Sequence, residues 1–272
     1  TNDLDSAKAS FLKALDLGHP DKGQVRFYLG QLAEARNLPE EALTWYQSVS
    51  KGRQQFDAQL RAAVVMNKLG RLAEARAWLA ALAPSSDSER IQLAQTEAQL
   101  LREAKNFDGV FGVLSTALEK MPDAPELLYD RAMAAEKINR LDVLEKDLRR
   151  LIQLKPDHAH AYNALGYTLA DRTTRIKEAI ELLEQALKLE PEDPFILDSM
   201  GWAMFKARRY AEAVDYLRRA FGVRPDPEIA AHFGEALWMK GDKEEARRVW
   251  RNGLQLHPDN ESLREVASRL MP

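Results

Sequence analysis

The run Tyr162-Asn-Ala-Leu-Gly-Tyr-Thr-Leu169 decides the fold, because a second run with the same spacing follows it, Asp198-Ser-Met-Gly-Trp-Ala-Met-Phe205. The glycines of the two runs are 35 residues apart. An alanine and a proline behind each run recur after 34 residues. These pairs are Gly166 with Gly201, Ala179 with Ala213, and Pro191 with Pro225. A period of this length predicts an array of similar units in place of one globular core.

The same period extends through the chain. The residue that opens the second half of each unit recurs at intervals of 33 to 35 residues. These frame residues are Ala42, Ala75, Val110, Leu144, Ala179, Ala213 and Ala246. We therefore predict seven full repeats, which start near residues 23, 56, 91, 125, 159, 194 and 227.

Each repeat is predicted to form two helices, because its apolar residues recur at spacings of three and four. Tyr162, Leu165 and Leu169, for example, share one helical face. The eighth residue of every repeat is glycine or alanine. Since glycine costs a helix up to about 1 kcal/mol against alanine, we expect a close approach of the second helix to offset that cost. The eighth residues are Gly30, Ala63, Ala98, Ala132, Gly166, Gly201 and Gly234.

This order of aromatic residue, Leu-Gly, alanine and proline resembles the tetratricopeptide repeat (TPR) family. The resemblance implies an all-α, right-handed solenoid that spans residues 1–272, with the first helices lining a concave groove. Residues 4–17 match only the second helix of a repeat, which predicts an N-terminal half-repeat and a natural chain that extends upstream. Residues 261–270 carry one apolar face and one charged face, as a C-terminal capping helix requires.

Repeats before residue 159 depart from the pattern. Arg26 and Gln59 occupy the aromatic position, and Glu97 and Arg131 occupy the leucine position. Either the frame slips in these repeats or their packing is looser.

Composition and motifs give no indication of chemistry. The chain has 272 residues, no cysteine and a net charge of −3, which excludes disulfides and thiolate sites and gives no reason to expect nucleic acid. His158 and His160 are the one close histidine pair and lack a third ligand at metal-site spacing. No phosphate-binding loop or hydrolase motif is present. We expect no enzyme activity, cofactor, bound metal or membrane contact.

A partner is expected to bind the first-helix residues that packing within the repeat does not need. Tyrosine and tryptophan are enriched in binding hot spots, and this face is aromatic in the later repeats. The predicted binding residues are Tyr129, Met133, His160, Asn163, Tyr167, Arg172, Arg175, Phe195, Asp198, Trp202, Phe205, Lys206, Glu235 and Trp238.

Four of these residues have an alternative interpretation. Phe205 and Trp238 could equally belong to the core. Arg172 and Arg175 lie in a turn with one extra residue, which predicts either a basic point at the groove rim or a tolerated insertion. Trp202 is expected at the surface, so that Trp202→Ala would leave stability within about 1 kcal/mol.

Residues Ala164–Arg172 and Pro194–Trp202 resemble a group of Gram-negative TPR lipoproteins. That resemblance implies a non-catalytic adaptor in the periplasm, tethered to the outer membrane through an upstream lipidated segment. It also implies a carboxyl-terminal processing protease and cell-wall hydrolases as partners. The close resemblance covers residues 159–224.

Other hypotheses stay open. The chain could be the TPR arm of a larger enzyme, such as a glycosyltransferase. It could also be a scaffold that self-associates through residues 4–17. A cytoplasmic location is the alternative to the periplasm, since the absence of cysteine suits either compartment.

Overall fold

The computed structural model describes residues 2–270, and within that range it contains sixteen helices and no strand. The helices fall into two compact units, with the boundary between Arg140 and Leu141. The first unit holds α1 (Asn2–Asp16), α2 (Lys22–Ala35), α3 (Pro39–Gln47), α4 (Gln55–Lys68), α5 (Leu72–Ala80), α6 (Asp87–Glu103), α7 (Phe107–Lys120) and α8 (Pro125–Lys137). The second holds α9 (Leu141–Leu154), α10 (Ala159–Arg172), α11 (Ile176–Leu189), α12 (Pro194–Lys206), α13 (Tyr210–Val223), α14 (Pro227–Lys240), α15 (Lys243–Leu256) and α16 (Glu261–Leu270).

The all-α architecture of paired helices is confirmed. The pairs α2–α3, α4–α5 and α6–α7 pack in the first unit, and α10–α11, α12–α13 and α14–α15 pack in the second. The unit boundary falls inside the predicted fourth repeat, since α8 closes the first unit and α9 opens the second. The prediction of a single solenoid across residues 1–272 stays a prediction.

Helix α6 begins four residues before the predicted start near residue 91. The reason is a local cap, in which the Ser86 hydroxyl accepts a hydrogen bond from the Glu89 backbone N–H at 3.2 Å. Glu89 in turn accepts a hydrogen bond from the Ser85 N–H at 2.6 Å. A serine cap with an acidic residue three positions later begins a helix efficiently, so the repeat gains an extra turn.

The frame residues form the core of the helix pairs. All seven, from Ala42 to Ala246, are completely buried. Trp250, in the second helix of the last pair, is also completely buried. Trp45 and Trp78 are only partly buried and pack against the edge of the first unit's core. At the C-terminal end, α16 packs on α14 and α15 and buries Leu263 and Ala267.

The eighth residue of each repeat lies where two helices come closest. A β-carbon placed on Gly201 would lie 2.5 Å from Leu217 Cγ, and one on Gly166 would lie 2.7 Å from Leu183 Cγ. On Gly234 it would overlap the indole of Trp250. The close approach predicted from the glycine positions is therefore confirmed, and it explains why helix-unfavourable glycine occurs at a mid-helix position.

Of the polar residues that break the pattern in the first unit, Arg26, Glu97 and Arg131 have partners for their side chains, and Gln59 is engaged through its backbone carbonyl. Arg26 Nη1 donates to the Ser48 carbonyl at 2.8 Å, and the Gln59 carbonyl accepts from Trp78 Nε1 at 2.9 Å. Glu97 pairs with Arg76 at 2.9 Å. Arg131 lies 5.9 Å from the centre of the Phe111 ring. Because these groups are satisfied in place, the early repeats keep the frame, with Ala63, Ala98 and Ala132 buried.

The turn after α10 differs from the other turns that link a first helix to its second helix. Those turns contain one residue with positive φ, for example Asn37, Asn139 and Arg208. After α10 the chain is extended at Thr173 instead. The Thr173 hydroxyl donates to the Leu169 carbonyl at 2.6 Å and accepts from the Arg175 N–H at 3.0 Å. The extra residue in this repeat is thus accommodated by a threonine turn.

None of the helices within residues 2–270 combines the length and the apolar character that crossing a bilayer requires.

We predict that Gly234→Ala destabilises the protein by about 1–3 kcal/mol, because its methyl group enters the space of the Trp250 indole. Gly112→Ala is the matched control, since a β-carbon at this helical glycine meets no atom within 4 Å. The control should gain about 0.5–1 kcal/mol from helix propensity. Urea unfolding measures both, and equal effects of the two substitutions would contradict the packing described.

Candidate partner-binding surface

The first helices of the second unit pack side by side, with α12 in contact with both α10 and α14. Their side chains meet in a cluster that we call the Trp202 surface, made of Tyr167, Asp171, Trp202, Phe205 and Lys206. Trp202 Nε1 donates to Asp171 Oδ1 at 3.0 Å, and Lys206 Nζ pairs with the same oxygen at 3.2 Å. Tyr167, Asp171, Trp202 and Phe205 are half-buried, and Lys206 is exposed.

Aromatic rings are packed closely in this cluster. The Trp202 and Phe205 rings are nearly parallel, with centroids 4.8 Å apart and an angle of 6°. The ammonium group of Lys206 lies 5.3 Å from the centre of the Trp202 ring, within the range of a cation–π interaction. These contacts hold the indole in one position, and a pre-ordered aromatic side chain loses little entropy on binding a partner.

A buried ion pair lies beside Trp202. The His232 ring stacks on the indole with centroids 4.2 Å apart and an angle of 19°. Its Nδ1 lies 3.0 Å from each carboxylate oxygen of Asp198. Asp198 was predicted to be open to a partner in the groove, and this is wrong, because α14 covers it and leaves it only 6% exposed. Its role is to hold His232 against Trp202.

The charges around His232 shift its pKa. Burial alone would lower the pKa of this imidazole, but the Asp198 carboxylate outweighs burial through its charge and hydrogen bond and raises the pKa above its usual value. Glu228 and Glu235, on the same helix α14, act in the same direction. For Glu235, burial raises the pKa, and the charges of Arg269, His232 and Lys206 oppose that rise. Glu235 is only 9% exposed and its carboxylate pairs with Arg269.

Arg175 does not form a free basic point at the rim. Its guanidinium donates to Glu145 Oε2 at 2.8 Å and to Glu178 Oε2 at 2.9 Å. Arg149 pairs with the same two carboxylates. Two arginines and two glutamates therefore neutralise one another across α9, α11 and the turn before α11. Arg172 is exposed and lies in the preceding helix. The insertion is explained by this charge network and the threonine turn.

The remaining predicted residues are dispersed. Tyr129 and Met133 lie in α8 of the first unit and are half-buried, and burial raises the pKa of Tyr129. Phe195 is 42% exposed, with the guanidinium carbon of Arg224 5.0 Å from its ring centre. Trp238 is half-buried against Trp250.

Two predicted residues near the start of α10 have different surroundings. His160 is exposed, whereas Asn163 is half-buried and its side-chain oxygen is buried without a hydrogen-bond partner. His160 lies near Glu190 and Asp193, and one potential ligand atom from each of these three residues lies within 4.8 Å of the others. Within residues 2–270, it is the one group of three such side chains close enough together to hold a metal ion. Asp193 Oδ1 already caps α12 by accepting from the Phe195 and Ile196 N–H groups.

Asp171, His232 and Arg269 were missed by the sequence reasoning. Each makes its contact with a residue 31 to 34 positions away, Trp202, Asp198 and Glu235 respectively. A search for polar residues of opposite charge one repeat apart would have found the pair Asp198 and His232. Nothing in the local helical periodicity separates them from surface residues.

Family models agree with this architecture. A model described as a tetratricopeptide repeat matches residues 1–55 and 199–261, and a second with the same description matches residues 159–193. Together they cover more than half of the chain, which therefore belongs to the tetratricopeptide repeat family. Proteins of this family generally mediate protein–protein interaction.

The chain is similar to a TPR repeat-containing protein of Pseudomonas aeruginosa. The two are 44% identical over 211 residues, which cover 78% of this chain and 36% of that protein. A more distant relative is the human protein O-mannosyl-transferase TMTC1, 24% identical over 200 residues. That alignment covers 72% of this chain and 22% of TMTC1. The chain thus spans about a third of the length of the bacterial relative and less of the human one.

A solved structure supports the fold. The crystal structure of a tetratricopeptide repeat protein from Parabacteroides merdae matches with a TM-score of 0.69 at 14% identity. The match covers 92% of this chain and 99% of that one. At this identity the likeness shows the all-α TPR fold alone.

We predict that the contribution of His232 to stability depends on pH. A raised pKa means that the folded protein holds the proton more tightly than the unfolded chain does. This stability is fully present below the unfolded-state pKa of about 6.5 and is lost as the pH rises through the higher pKa of folded His232. The free-energy difference between the native protein and His232→Gln, measured by urea unfolding, should be larger near about pH 6 than near about pH 9. A difference that is constant or grows with pH would contradict the assignment.

We also predict that Trp202→Ala costs more stability than the sequence suggested, about 2–3 kcal/mol. The substitution removes two ring stacks and leaves Asp171 without its indole donor. Trp202→Phe is the control, because it keeps an aromatic ring between Phe205 and His232 and should recover part of the loss. Urea unfolding of both variants measures the loss of stability. A cost below about 0.5 kcal/mol for Trp202→Ala would contradict this prediction, because substitutions of exposed surface residues have effects of that size.

Proposed function

We propose that this chain is a non-catalytic adaptor that binds a peptide or protein segment on the first helices of its second unit. The observation that carries the proposal is the Trp202 surface, where half-buried aromatic rings and charged groups are held in place by contacts between neighbouring repeats. Aromatic residues with a polar tip are the commonest binding hot spots, because they offer much contact area at little entropic cost. Family membership supports a protein partner.

The surface suits a partner with an apolar side chain and an adjacent polar backbone or side chain. Trp202 and Phe205 offer apolar area, while Lys206 and Asp171 offer one cation and one carboxylate. Because these two charges already pair with each other, a partner has to exchange that pair for its own hydrogen bonds. Such an exchange favours specificity more than affinity.

More specifically, we propose that the chain is part of a periplasmic adaptor for a carboxyl-terminal processing protease and its cell-wall hydrolase substrates. This adaptor would be tethered to the outer membrane through an upstream lipidated segment. The support is the resemblance of residues 164–172 and 194–202 to Gram-negative TPR lipoproteins. The similarity to the longer P. aeruginosa protein is compatible with further segments in the whole protein.

A second candidate function is the TPR arm of a larger enzyme. The observation that favours it is the similarity to TMTC1, which is named as a protein O-mannosyl-transferase and of which this chain matches 22%. In that case the Trp202 surface would bind a substrate protein for a catalytic domain on the same polypeptide.

Site-specific photo-crosslinking in the native host tests the proposal. A benzophenone amino acid at position 206 or 195, on the first-helix face, is expected to crosslink to a protein partner. The matched control positions are 181 and 248, which are exposed on second helices α11 and α15. Crosslinks that form equally from all four positions, or from none of them, would contradict the proposal.

The same experiment separates the finer alternatives. A crosslinked protease in a periplasmic fraction supports the adaptor hypothesis, and a cytoplasmic partner contradicts it. Crosslinks to substrate proteins from a polypeptide that also carries transferase activity support the enzyme arm.

A further inference from the structure

A cleft of about 830 Å³ opens in the first unit, far along the chain from the Trp202 surface. Two turns form it. Residues 18–23, in the turn after α1 and at the start of α2, supply one wall, and residues 50–53, between α3 and α4, supply the other. Arg26, in the first turns of α2, completes the lining. The volume is within the range of small-molecule sites.

The lining is strongly basic, although the whole chain has a net charge of −3. It contains Lys22, Arg26, Lys51 and Arg53, and its only carboxylate is Asp21. Asp21 is already engaged, since its Oδ1 accepts from the Gln24 N–H at 2.9 Å and caps α2. The cleft therefore has an excess of positive charge that its own residues do not neutralise.

Three of these cations have no ion-pair partner. Within residues 2–270, Lys22, Lys51 and Arg53 pair with no carboxylate. Other basic groups in the same unit do pair, for example Arg36 with Asp5 at 2.9 Å and Arg61 with Glu34 at 2.6 Å. Three unpaired cations that converge on one concave surface attract anions, because a cleft focuses the field of the charges along its walls.

The two walls are held together before any ligand binds. A β-carbon on Gly23 would lie 2.5 Å from the Lys51 carbonyl oxygen, so the second turn lies directly against the start of α2. Gly52 has a φ of +103°, a backbone conformation that suits glycine. Arg26 Nη1 donates to the Ser48 carbonyl at 2.8 Å and ties the helix to the end of α3. The backbone of both walls is therefore held in place before a ligand binds.

We propose that this cleft binds a small multivalent oxyanion, one that carries two or more phosphoryl or carboxylate groups. A monovalent anion would leave most of the positive charge unmatched, whereas a multivalent one can contact both walls. The arginines offer forked donors that suit phosphoryl and carboxylate oxygens, and the lysines add point charges. The site is separate from the Trp202 surface and does not depend on the proposed adaptor function.

Isothermal titration calorimetry with inorganic tripolyphosphate and with citrate tests the site. At low ionic strength the native protein is expected to bind at least one of them with a stoichiometry of one, and rising salt should weaken binding. Tighter binding of tripolyphosphate assigns a phosphoryl ligand, and tighter binding of citrate assigns a carboxylate ligand. Failure to bind either anion would overturn the proposal.

A matched pair of variants locates the binding. Lys51→Gln with Arg53→Gln should weaken binding about tenfold or more, as the loss of charge-assisted contacts implies. Lys155→Gln with Arg251→Gln removes the same charge from two exposed residues outside the cleft and should leave binding within about twofold. Equal weakening by the two double variants would show only a general effect of charge and would overturn the site. Gly23→Ala should also weaken binding, because its methyl group forces the two walls apart.

Discussion

The close approach of the two helices in each pair is the constraint on which the rest of the structure depends. Gly201 allows Leu217 of α13 to reach the backbone of α12, and Gly234 allows the Trp250 indole to reach α14. Where the eighth residue is alanine, as at Ala63, Ala98 and Ala132, it is equally buried. This contact fixes which face of each first helix points into its own pair. The other faces of the first helix are available for contacts with neighbouring repeats and with partners.

Contacts between successive first helices determine how much of that remaining face is open. In the second unit they place the Asp198–His232 pair between α12 and α14 and the Asp171–Trp202 hydrogen bond between α10 and α12. Polar groups therefore join neighbouring repeats on the face where a partner is expected to bind. Breaking a buried ion pair is costly, so these contacts keep the aromatic rings ordered. The Trp202 surface depends on the register of three repeats together.

The fold could be predicted well from the sequence because a few residue types at fixed positions determine how the helices pack. Glycine or alanine at the eighth position and the frame residues follow the repeat period, and both sets are buried through the whole described chain. The site was predicted less well. Asp198 was expected in the open groove and is buried. For Arg175, the alternative of a basic point at the groove rim does not hold, because its guanidinium pairs with Glu145 and Glu178. Helical periodicity assigns a residue to a face, but contacts from the next repeat decide whether that face stays open.

The central claim is that the small eighth residue is required by the bulk of the second helix. A double-mutant cycle between positions 201 and 217 tests it most directly. Gly201→Ala and Leu217→Ala should each destabilise the protein, by about 1–3 and about 2–5 kcal/mol. In the double variant the new methyl group enters the space that the leucine has left, so the combined loss should fall short of the sum by about 1 kcal/mol or more. Additive losses would mean that the two positions do not compete for the same space, and would contradict this account.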